Sequence, residues 1–343
     1  TAVLSGLNSF GEEKIIKSAD KKRDVRADYK DFKDHHLKDT HSFKIFYYKK
    51  DTKKKYVSFP LPIIIYGQQG LDVFMSSRFY DKNNKLVNHI VGNVSYEIDK
   101  KTEKIKAKLI SGGEYKIIDF SITKNVMLIV ICIILMIYLF AKMARSYNKN
   151  CLPEGAGRFL EPIVLYIRDD IARPNIGEKY YKRYMSFLLT VFFFIWFVNL
   201  FGLTPIGSNV TNNIAVTASL AVLTYLITTF SANKNYWGHI FWMPGVPAPM
   251  KIILAPIELL GTIIKPFSLM IRLYANMTAG HVVLMSILGL IFVFQNWIGG
   301  ALSFGLAFAL CLLELLVCAL QAYIFTMLSA LYFGAAVEEH HHE

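Results

Sequence analysis

The sequence predicts an all-α polytopic membrane protein that carries a small β-rich soluble domain at its N-terminal end. Hydrophobic residues make up 53% of the 343-residue chain and charged residues 19%. The charges are concentrated before residue 125, whereas long apolar runs alternate with short charged segments from Val126 onward. Apolar runs of about 20 residues match the hydrocarbon thickness of a bilayer. We therefore predict a β-rich accessory domain at residues 1–123 and a transmembrane domain at residues 124–343.

The N-terminal domain begins with a charged segment, residues 11–40, which we interpret as a solvated helix or a disordered arm. Runs rich in β-branched and aromatic residues follow and predict strands. Turn signals at Asp81–Asn84 and Ser111–Gly113 separate some of these runs. The predicted strands are Phe43–Tyr48, Tyr56–Tyr66, Leu71–Met75, Leu86–Ile98, Ile105–Ile110 and Tyr115–Ile122.

Composition and residue spacing argue against metal, cofactor and nucleic-acid binding. His35, His36 and His41 could hold a metal ion, but solvated histidines are the expected alternative in so charged a segment. The net charge is +12, yet the acids are interleaved with the lysines and no nucleic-acid recognition motif occurs. We predict neither a disulfide nor a metal site for the cysteines, which lack metal-site spacing and are Cys132, Cys151, Cys311 and Cys318.

Five apolar regions predict membrane spans. Two of them, Ile252–Phe294 and Ile298–Val337, would each be about 60 Å long as one helix, roughly twice the hydrocarbon thickness. Each is therefore a hairpin of two spans or one strongly tilted helix. No turn cluster divides the last region, and Pro256 and Pro266 lie well before the middle of the other, which favours two tilted helices. The three shorter spans are Val126–Ala141, Met185–Leu203 and Ile214–Phe230.

Loop charges predict how the spans are oriented. Residues 142–183 contain nine lysines and arginines, whereas residues 201–213 and 295–300 carry no charge. Basic loops stay in the cytoplasm, so with five spans the N-terminal domain lies outside and the C-terminus inside. Within the basic segment, Phe159–Ile171 mixes apolar residues with charges and predicts an amphipathic helix in the membrane interface.

Polar residues form a seam along each of the last two spans. Glu258, Lys265 and Arg272 are seven residues apart, so they share one helical face, which Asn276 extends by a turn. Glu314 and Gln321 repeat the same spacing. These residues also have structural explanations. Glu258 and Lys265 could lie near the cytoplasmic interface, and Gln321 could form an interhelical hydrogen bond. Intramembrane ionisable groups commonly mark an ion path.

Antiparallel packing of these two spans would sort the polar residues by depth. His281 and Glu314 would share the outer half, and Glu258 and Lys265 the inner half. Arg272 would lie between these two pairs by its position along the helix. Its guanidinium would keep its charge there. The arrangement offers two half-routes separated by a fixed cation. His281 is about 180° from Arg272 around an ideal helix, so the outer route must bend or face another neighbour.

The run from Lys265 to His281, with Leu320–Phe325 and the ending Glu338–His340, resembles subunit a of F-type ATP synthases. This ending leaves two interpretations of His340–His342, a native C-terminus or a purification tag. The resemblance covers residues 124–340 and implies a non-catalytic stator beside a ring of c subunits, with peripheral-stalk b subunits and the other ATP synthase subunits as partners and ATP chemistry elsewhere. It favours a bacterial inner membrane over a mitochondrial one.

The resemblance also implies roles for individual residues. Arg272 matches the essential arginine that faces the ring carboxylate, and Gln321 and Asn276 match the amides near it. His281 and Glu314 match the pair lining the outer access route. Gly202 stands where some members have Asp. The remaining residues assigned to the proton path are Glu258, Lys265 and Ser268, and, near the outer entrance, Asn199 and Asn213.

Two other functions are compatible with an ion path or with buried charges. A self-contained ion-coupled transporter would carry internal repeats and matching broken helices, and the sequence shows no repeat. A membrane anchor or receptor would use its N-terminal domain and need the intramembrane charges only for assembly. Loss of proton pumping on replacement of Arg272 would separate the stator from both.

Overall fold

A computed structural model describes residues 39–50, 53–68, 70–81, 86–99, 102–150, 153–204, 210–242, 247–293 and 297–338. Several predicted features lie outside these ranges: most of the charged arm, the histidines at 35 and 36, the turn at 82–84, Cys151 and the C-terminal histidines. Within the described residues, no group of three or more His, Cys, Asp or Glu could hold a metal ion, and Cys132, Cys311 and Cys318 are not joined in disulfides.

The N-terminal region forms three antiparallel sheets, as the β-rich prediction requires. The first is a hairpin of β1 and β2, the second has the strand order β4-β3-β9, and the third has the order β5-β6-β7-β8. The described strands are β1 Ser42–Lys50, β2 Lys53–Pro60, β3 Pro62–Gly67, β4 Gly70–Met75, β5 His89–Val91, β6 Val94–Ile98, β7 Ile105–Leu109, β8 Glu114–Tyr115 and β9 Ile117–Asp119.

Three predicted strands are wrong in extent. The run Tyr115–Ile122 divides at Lys116 into β8, which pairs with β7, and β9, which pairs with β3. The run Tyr56–Tyr66 breaks at Leu61, which is buried and donates its N–H to the Ser76 hydroxyl at 3.0 Å. The run Leu86–Ile98 folds into the β5–β6 hairpin at Gly92, whose φ of 58° lies in the left-handed region. Glycine adopts that conformation without the steric cost of a Cβ.

Alternate residues of β3, β4, β6 and β7 build the core of this domain. Ile63 and Ile65 are fully buried and cluster with Phe74 and Tyr96. The Tyr96 hydroxyl donates a 2.6 Å hydrogen bond to the Asp72 carboxylate. A polar group that would otherwise be costly to bury is thereby paired.

The rest of the described chain is helical, and five helices are long and apolar enough to cross a membrane. The last two are single helices of 46 and 41 residues. The hairpin alternative is therefore wrong for both, while their tilt stays a prediction. The helices are α1 Lys124–Asn150, α2 Ala156–Tyr166, α3 Arg173–Ile176, α4 Tyr181–Leu203, α5 Ile214–Ser231, α6 Lys234–Phe241, α7 Ala248–Val293 and α8 Trp297–Val337.

The segment predicted as an amphipathic helix is helical, with a π-turn at Ile167–Ala172 joining α2 to α3. Its buried residues lie on one side and include Leu160, Ile167 and Ile171. The Asp169 carboxylate accepts hydrogen bonds from Arg168 and Arg173, each at 2.9 Å. The placement of this segment in the membrane interface stays a prediction.

Asp119 is expected to make the junction before α1 sensitive to acid. Burial raises the pKa of Asp119, but hydrogen bonds from His41 and Ser121 and the His41 charge lower it overall. A lowered pKa means that the folded state prefers the carboxylate, so this stabilisation is present above pH ~4 and is lost as the pH falls through the folded pKa. The protection factors of the amides of residues 117–123, taken relative to the intrinsic exchange rate at each pH, should therefore fall below pH ~4 by roughly five- to tenfold.

The matched control is Asp119→Asn in the full chain. An amide does not titrate in this range. In the variant, the amides of residues 117–123 should therefore be less protected from exchange at pH 7, and residue 119 should cause no further loss of protection as the pH falls. An identical acid response in both proteins would exclude Asp119 as the cause.

Candidate functional site

The helices α7 and α8 pack antiparallel, and three pairs of residues mark their register. Asn276 Nδ2 donates to Gln321 Oε1 at 2.8 Å. A Cβ added at Gly280 would lie 3.2 Å from Glu314 Oε1. At the other end, the Lys265 ammonium lies 5.7 Å from the centre of the Tyr332 ring. The polar seams of the two helices therefore meet along one contact line.

Arg272 is half-buried on α7 and has no counter-ion within the described part of the chain. The salt bridges described there involve other residues. A guanidinium cannot become neutral in a protein, and an unpaired charge is expensive to keep in hydrocarbon. The geometry thus leaves Arg272 available to an anion from outside the chain.

Gln321 lies beside Asn276, one turn beyond Arg272, and is 1% exposed. Its carbonyl oxygen accepts the Asn276 hydrogen bond, while its Nε2 atom has no hydrogen-bond partner among the residues the structure describes. The sequence predicted that Gln321 lies at the same depth as Arg272. In the structure Gln321 accepts a hydrogen bond from Asn276, one turn further along α7. Neither amide titrates near neutral pH, so the pair is polar but cannot relay a proton by ionising.

Glu314 and His281 are both buried, at 5% and 4% exposure. Gly280, the residue before His281, leaves room for the Glu314 carboxyl because it has no side chain. The Oε2 atom of Glu314 has no hydrogen-bond partner in the described ranges. A carboxyl with a free oxygen in an apolar span can bind or release a proton, but it is costly to leave charged.

Glu258 and Lys265 line a separate recess of about 250 Å³. The recess also includes His239 and Glu338, and Glu314 is not among its lining residues. A cavity of about 10 Å³, roughly the room for one water molecule, adjoins it at Lys265 and extends past Leu269. Wet space is therefore available beside the Glu258 end of the seam.

Tyr236 lies on the wall shared by the recess and the small cavity. Burial raises the pKa of its hydroxyl, and the neighbouring Tyr225 and the negative charge of Glu258 raise it further. The tyrosine is therefore neutral and can donate or accept a hydrogen bond. Sequence reasoning did not assign Tyr236, His239 or Glu338 to the proton path. Tyr236 and His239 join the recess from α6 and Glu338 from the end of α8, so none of them follows a spacing along α7.

The other predicted path residues are dispersed. Asn199 is buried, accepts a 3.0 Å hydrogen bond from Thr211, and has an Nδ2 atom without a hydrogen-bond partner within the described segments. Asn213 caps α5 by accepting from the Ala215 N–H at 3.0 Å, which accounts for that residue type locally. Ser268 is exposed on α7.

The structure adds one polar contact that the sequence did not reveal. Thr278 Oγ1 lies 2.6 Å from Asn212 Oδ1 and 2.7 Å from the Tyr274 carbonyl oxygen. Thr278 belongs to the polar run on α7, but Asn212 lies in the uncharged segment before α5 and has no periodic partner. Only folding brings the two together, close to the Asn276 level of the seam.

A family model described as ATP synthase A chain matches residues 126–334. The chain belongs to the subunit a family of F-type ATP synthases. This family match includes the polar seams and at least part of each of the five candidate spans, and it confirms the resemblance drawn from the motifs. A second family model, described as Domain of unknown function (DUF8433), matches residues 32–120.

Named relatives agree with the family. ATP synthase subunit a of Chloroherpeton thalassium is 44% identical over 230 residues, which are 65% of this chain and 69% of the relative. ATP synthase subunit a 2 of Chlorobaculum tepidum is 41% identical over 260 residues, 73% of this chain and 72% of the relative. ATP synthase subunit a of Myxococcus xanthus is 44% identical over 230 residues, 66% and 76% of the two chains.

Family membership and the five apolar helices establish a multi-pass membrane subunit of an ATP synthase complex. They also establish the process, which is proton transport coupled to ATP synthesis. The subunit a family and the mostly helical fold with a small β-rich N-terminal region agree with the fold class predicted from the sequence.

Proposed function

We propose that this chain is the stator of the membrane sector and offers two offset proton half-routes to a ring of c subunits. The observation that carries the proposal is Arg272, a half-buried cation whose counter-ion is not found within the described chain. A carboxylate on a ring subunit would supply that counter-ion and leave it again as the ring turns. Peripheral-stalk b subunits would hold the stator in place.

The outer half-route runs through Glu314 and His281. Both are buried on the same side of the Asn276–Gln321 pair, and the open amide nitrogen of Asn199 would hydrogen-bond water nearer the outer entrance, with Asn213 beside it. A proton passed by Glu314 neutralises a ring carboxylate. The neutral group can then turn into lipid, which a charged carboxylate could not do cheaply.

The inner half-route is the recess beside Glu258 and Lys265. After nearly a full turn, the ring carboxylate reaches this wet space, with Ser268 on the exposed face of α7, and releases its proton. Arg272 then favours the ionised form and blocks direct proton transfer between the routes, while the Asn276–Gln321 amide pair separates them without titrating. A membrane potential supplies about 2.3 kcal/mol per charge per 100 mV to drive the cycle.

The proposed orientation follows from the basic loop at residues 142–183. The N-terminal domain, residues 1–123, lies outside as an accessory domain, and the transmembrane domain, residues 124–343, ends in the cytoplasm of a bacterial cell. Antibody or protease access to the two ends in sealed vesicles of known sidedness would check this arrangement.

Reconstitution with and without the ring tests the stator against the transporter. The chain alone in potassium-loaded liposomes should conduct no protons when valinomycin imposes a potential, and the chain with the c-ring should conduct them. Proton flux from the chain alone would establish the transporter and overturn the stator proposal. Unchanged flux after Glu314→Gln, with the exposed Glu178→Gln as control, would favour an anchor whose buried charges serve only assembly.

Gly280→Ala is expected to slow ATP-driven proton pumping in inverted vesicles by roughly fivefold. The new Cβ would press on Glu314 Oε1 at 3.2 Å, and about 1 kcal/mol of local strain at the carboxyl corresponds to that factor. Gly261→Ala is the matched control on the same helix, because a Cβ there meets nothing within 4 Å. Equal rates in the two variants would show that the Glu314 position does not limit transfer.

A further inference from the structure

The N-terminal domain has an apolar outer face on the sheet β4-β3-β9. In β4, Leu71, Val73 and Met75 alternate with inward residues and are 60%, 61% and 47% exposed. Opposite them in register are Tyr66, Ile64 and Pro62 of β3. Ile118 of β9, paired with Tyr66, and Phe120 just after it complete the face, at 56% and 62% exposure.

This face differs from the outer face of the neighbouring sheet in the same domain. There the outward residues include Ser95 and Glu97 of β6 and Lys106 and Lys108 of β7, with Ile90 as an apolar exception. Antiparallel sheets commonly bury one face and present a polar one to water. The outward positions of β3, β4 and β9 carry no charge within the described residues. One outer face is therefore suited to water and the other to an apolar environment.

Continuity with the first span indicates what covers the apolar face. Phe120 precedes the start of α1 at Lys124 by four residues, a distance of at most about 14 Å along the chain. The pairing with β3 continues through this link, because the Ile122 N–H donates to the Pro62 carbonyl at 3.1 Å. The sheet therefore extends almost to the first residue of the span.

The start of α1 is also hydrogen-bonded to the domain from a second side. The Lys124 N–H donates to the Thr40 carbonyl at 3.1 Å, and the Asn125 N–H donates to Asp39 Oδ1 at 3.2 Å. Residues up to Leu128 belong to the same compact unit as the sheets. The first residues of α1 are thus hydrogen-bonded to the domain.

We infer that the face formed by Ile64, Tyr66, Leu71, Val73, Met75, Ile118 and Phe120 lies against the bilayer surface and inserts its side chains at the boundary of headgroups and acyl chains. Contiguous exposed apolar patches mark protein or membrane contacts, and aromatic side chains favour the membrane interface. The attachment at Lys124 favours the membrane as the occupant, because Phe120 lies only four residues before the first residue of a candidate span.

The test uses the full chain in a cysteine-free background, reconstituted in liposomes alone and within the ATP synthase complex. Single cysteines at Val73→Cys and Lys108→Cys carry a fluorescent nitrobenzoxadiazole label. We expect a phospholipid with a nitroxide near the headgroup to quench the label at 73 at least about threefold more strongly than the label at 108, and aqueous iodide to do the reverse. If Val73→Cys fails to fold, Ile118→Cys reports on the same face.

Two outcomes would overturn the inference. Equal lipid and iodide quenching at both positions would show that the sheet face is in water. Shielding of position 73 from both quenchers in the complex, combined with iodide access in the chain alone, would assign the face to a neighbouring protein subunit. Neither result depends on proton conduction, so the stator proposal is tested separately.

Discussion

Replacement of Arg272 by Ala or Gln is expected to reduce ATP-driven proton pumping at least about 100-fold, and replacement by Lys nearly as much. Removing one partner of a buried ion pair costs about 3–5 kcal/mol, and about 1.4 kcal/mol corresponds to a factor of ten in rate. Lysine should fail although it is basic, because an ammonium can deprotonate in a low dielectric and lacks the planar fork of donors.

The measurement is quenching of a pH-sensitive dye in inverted vesicles that contain equal amounts of assembled complex. Arg145→Ala is the matched control, because Arg145 is exposed near the end of α1 and lies away from the polar seam. We expect its pumping to stay within about twofold of the parent, since surface charges contribute little. Full pumping by Arg272→Ala would remove the central element of the proposed mechanism.

Gly334→Ala is expected to be the most destabilising single change in the described part of α8. A Cβ at this position would overlap the Asn175 carbonyl oxygen and lie 3.0 Å from its carbon. The obstacle is backbone of α3, which is fixed on the other side by the hydrogen bond from Asn175 Nδ2 to the Ile171 carbonyl at 2.7 Å. The helices would have to separate, at a cost of about 3 kcal/mol or more.

Gly305→Ala on the same helix provides the comparison, because a Cβ there meets nothing within 4 Å. Alanine is the better helix former by about 1 kcal/mol, so this variant should be neutral or slightly stabilised. Thermal unfolding of the purified full chains in lipid nanodiscs, followed by tryptophan fluorescence, measures both. An unfolding midpoint for Gly334→Ala equal to that of Gly305→Ala would contradict the close packing of α3 against α8.

Sequence reasoning succeeded where a pattern along one element carries the information. Apolar length predicted the five spans, and the missing turn cluster correctly indicated that residues 298–337 form one helix. It failed where a single residue interrupts a strand. Leu61 lies between two strands and hydrogen-bonds Ser76, and Gly92 adopts a left-handed conformation at a hairpin. A single such residue hardly changes the composition of an apolar, β-branched segment, so the composition does not reveal where the strand ends.

The sequence by itself determined which residues could act: the spans, the seven-residue seam holding Arg272, and the family to which its motif points. Helical and strand periods are local, so they can be counted along one chain. Only the tertiary structure decided that Gln321 bonds Asn276, that Gly280 makes room for Glu314, that Glu258 faces a recess, and that one outer sheet face of the N-terminal domain is apolar. Contacts between elements depend on register and packing, which no single element encodes.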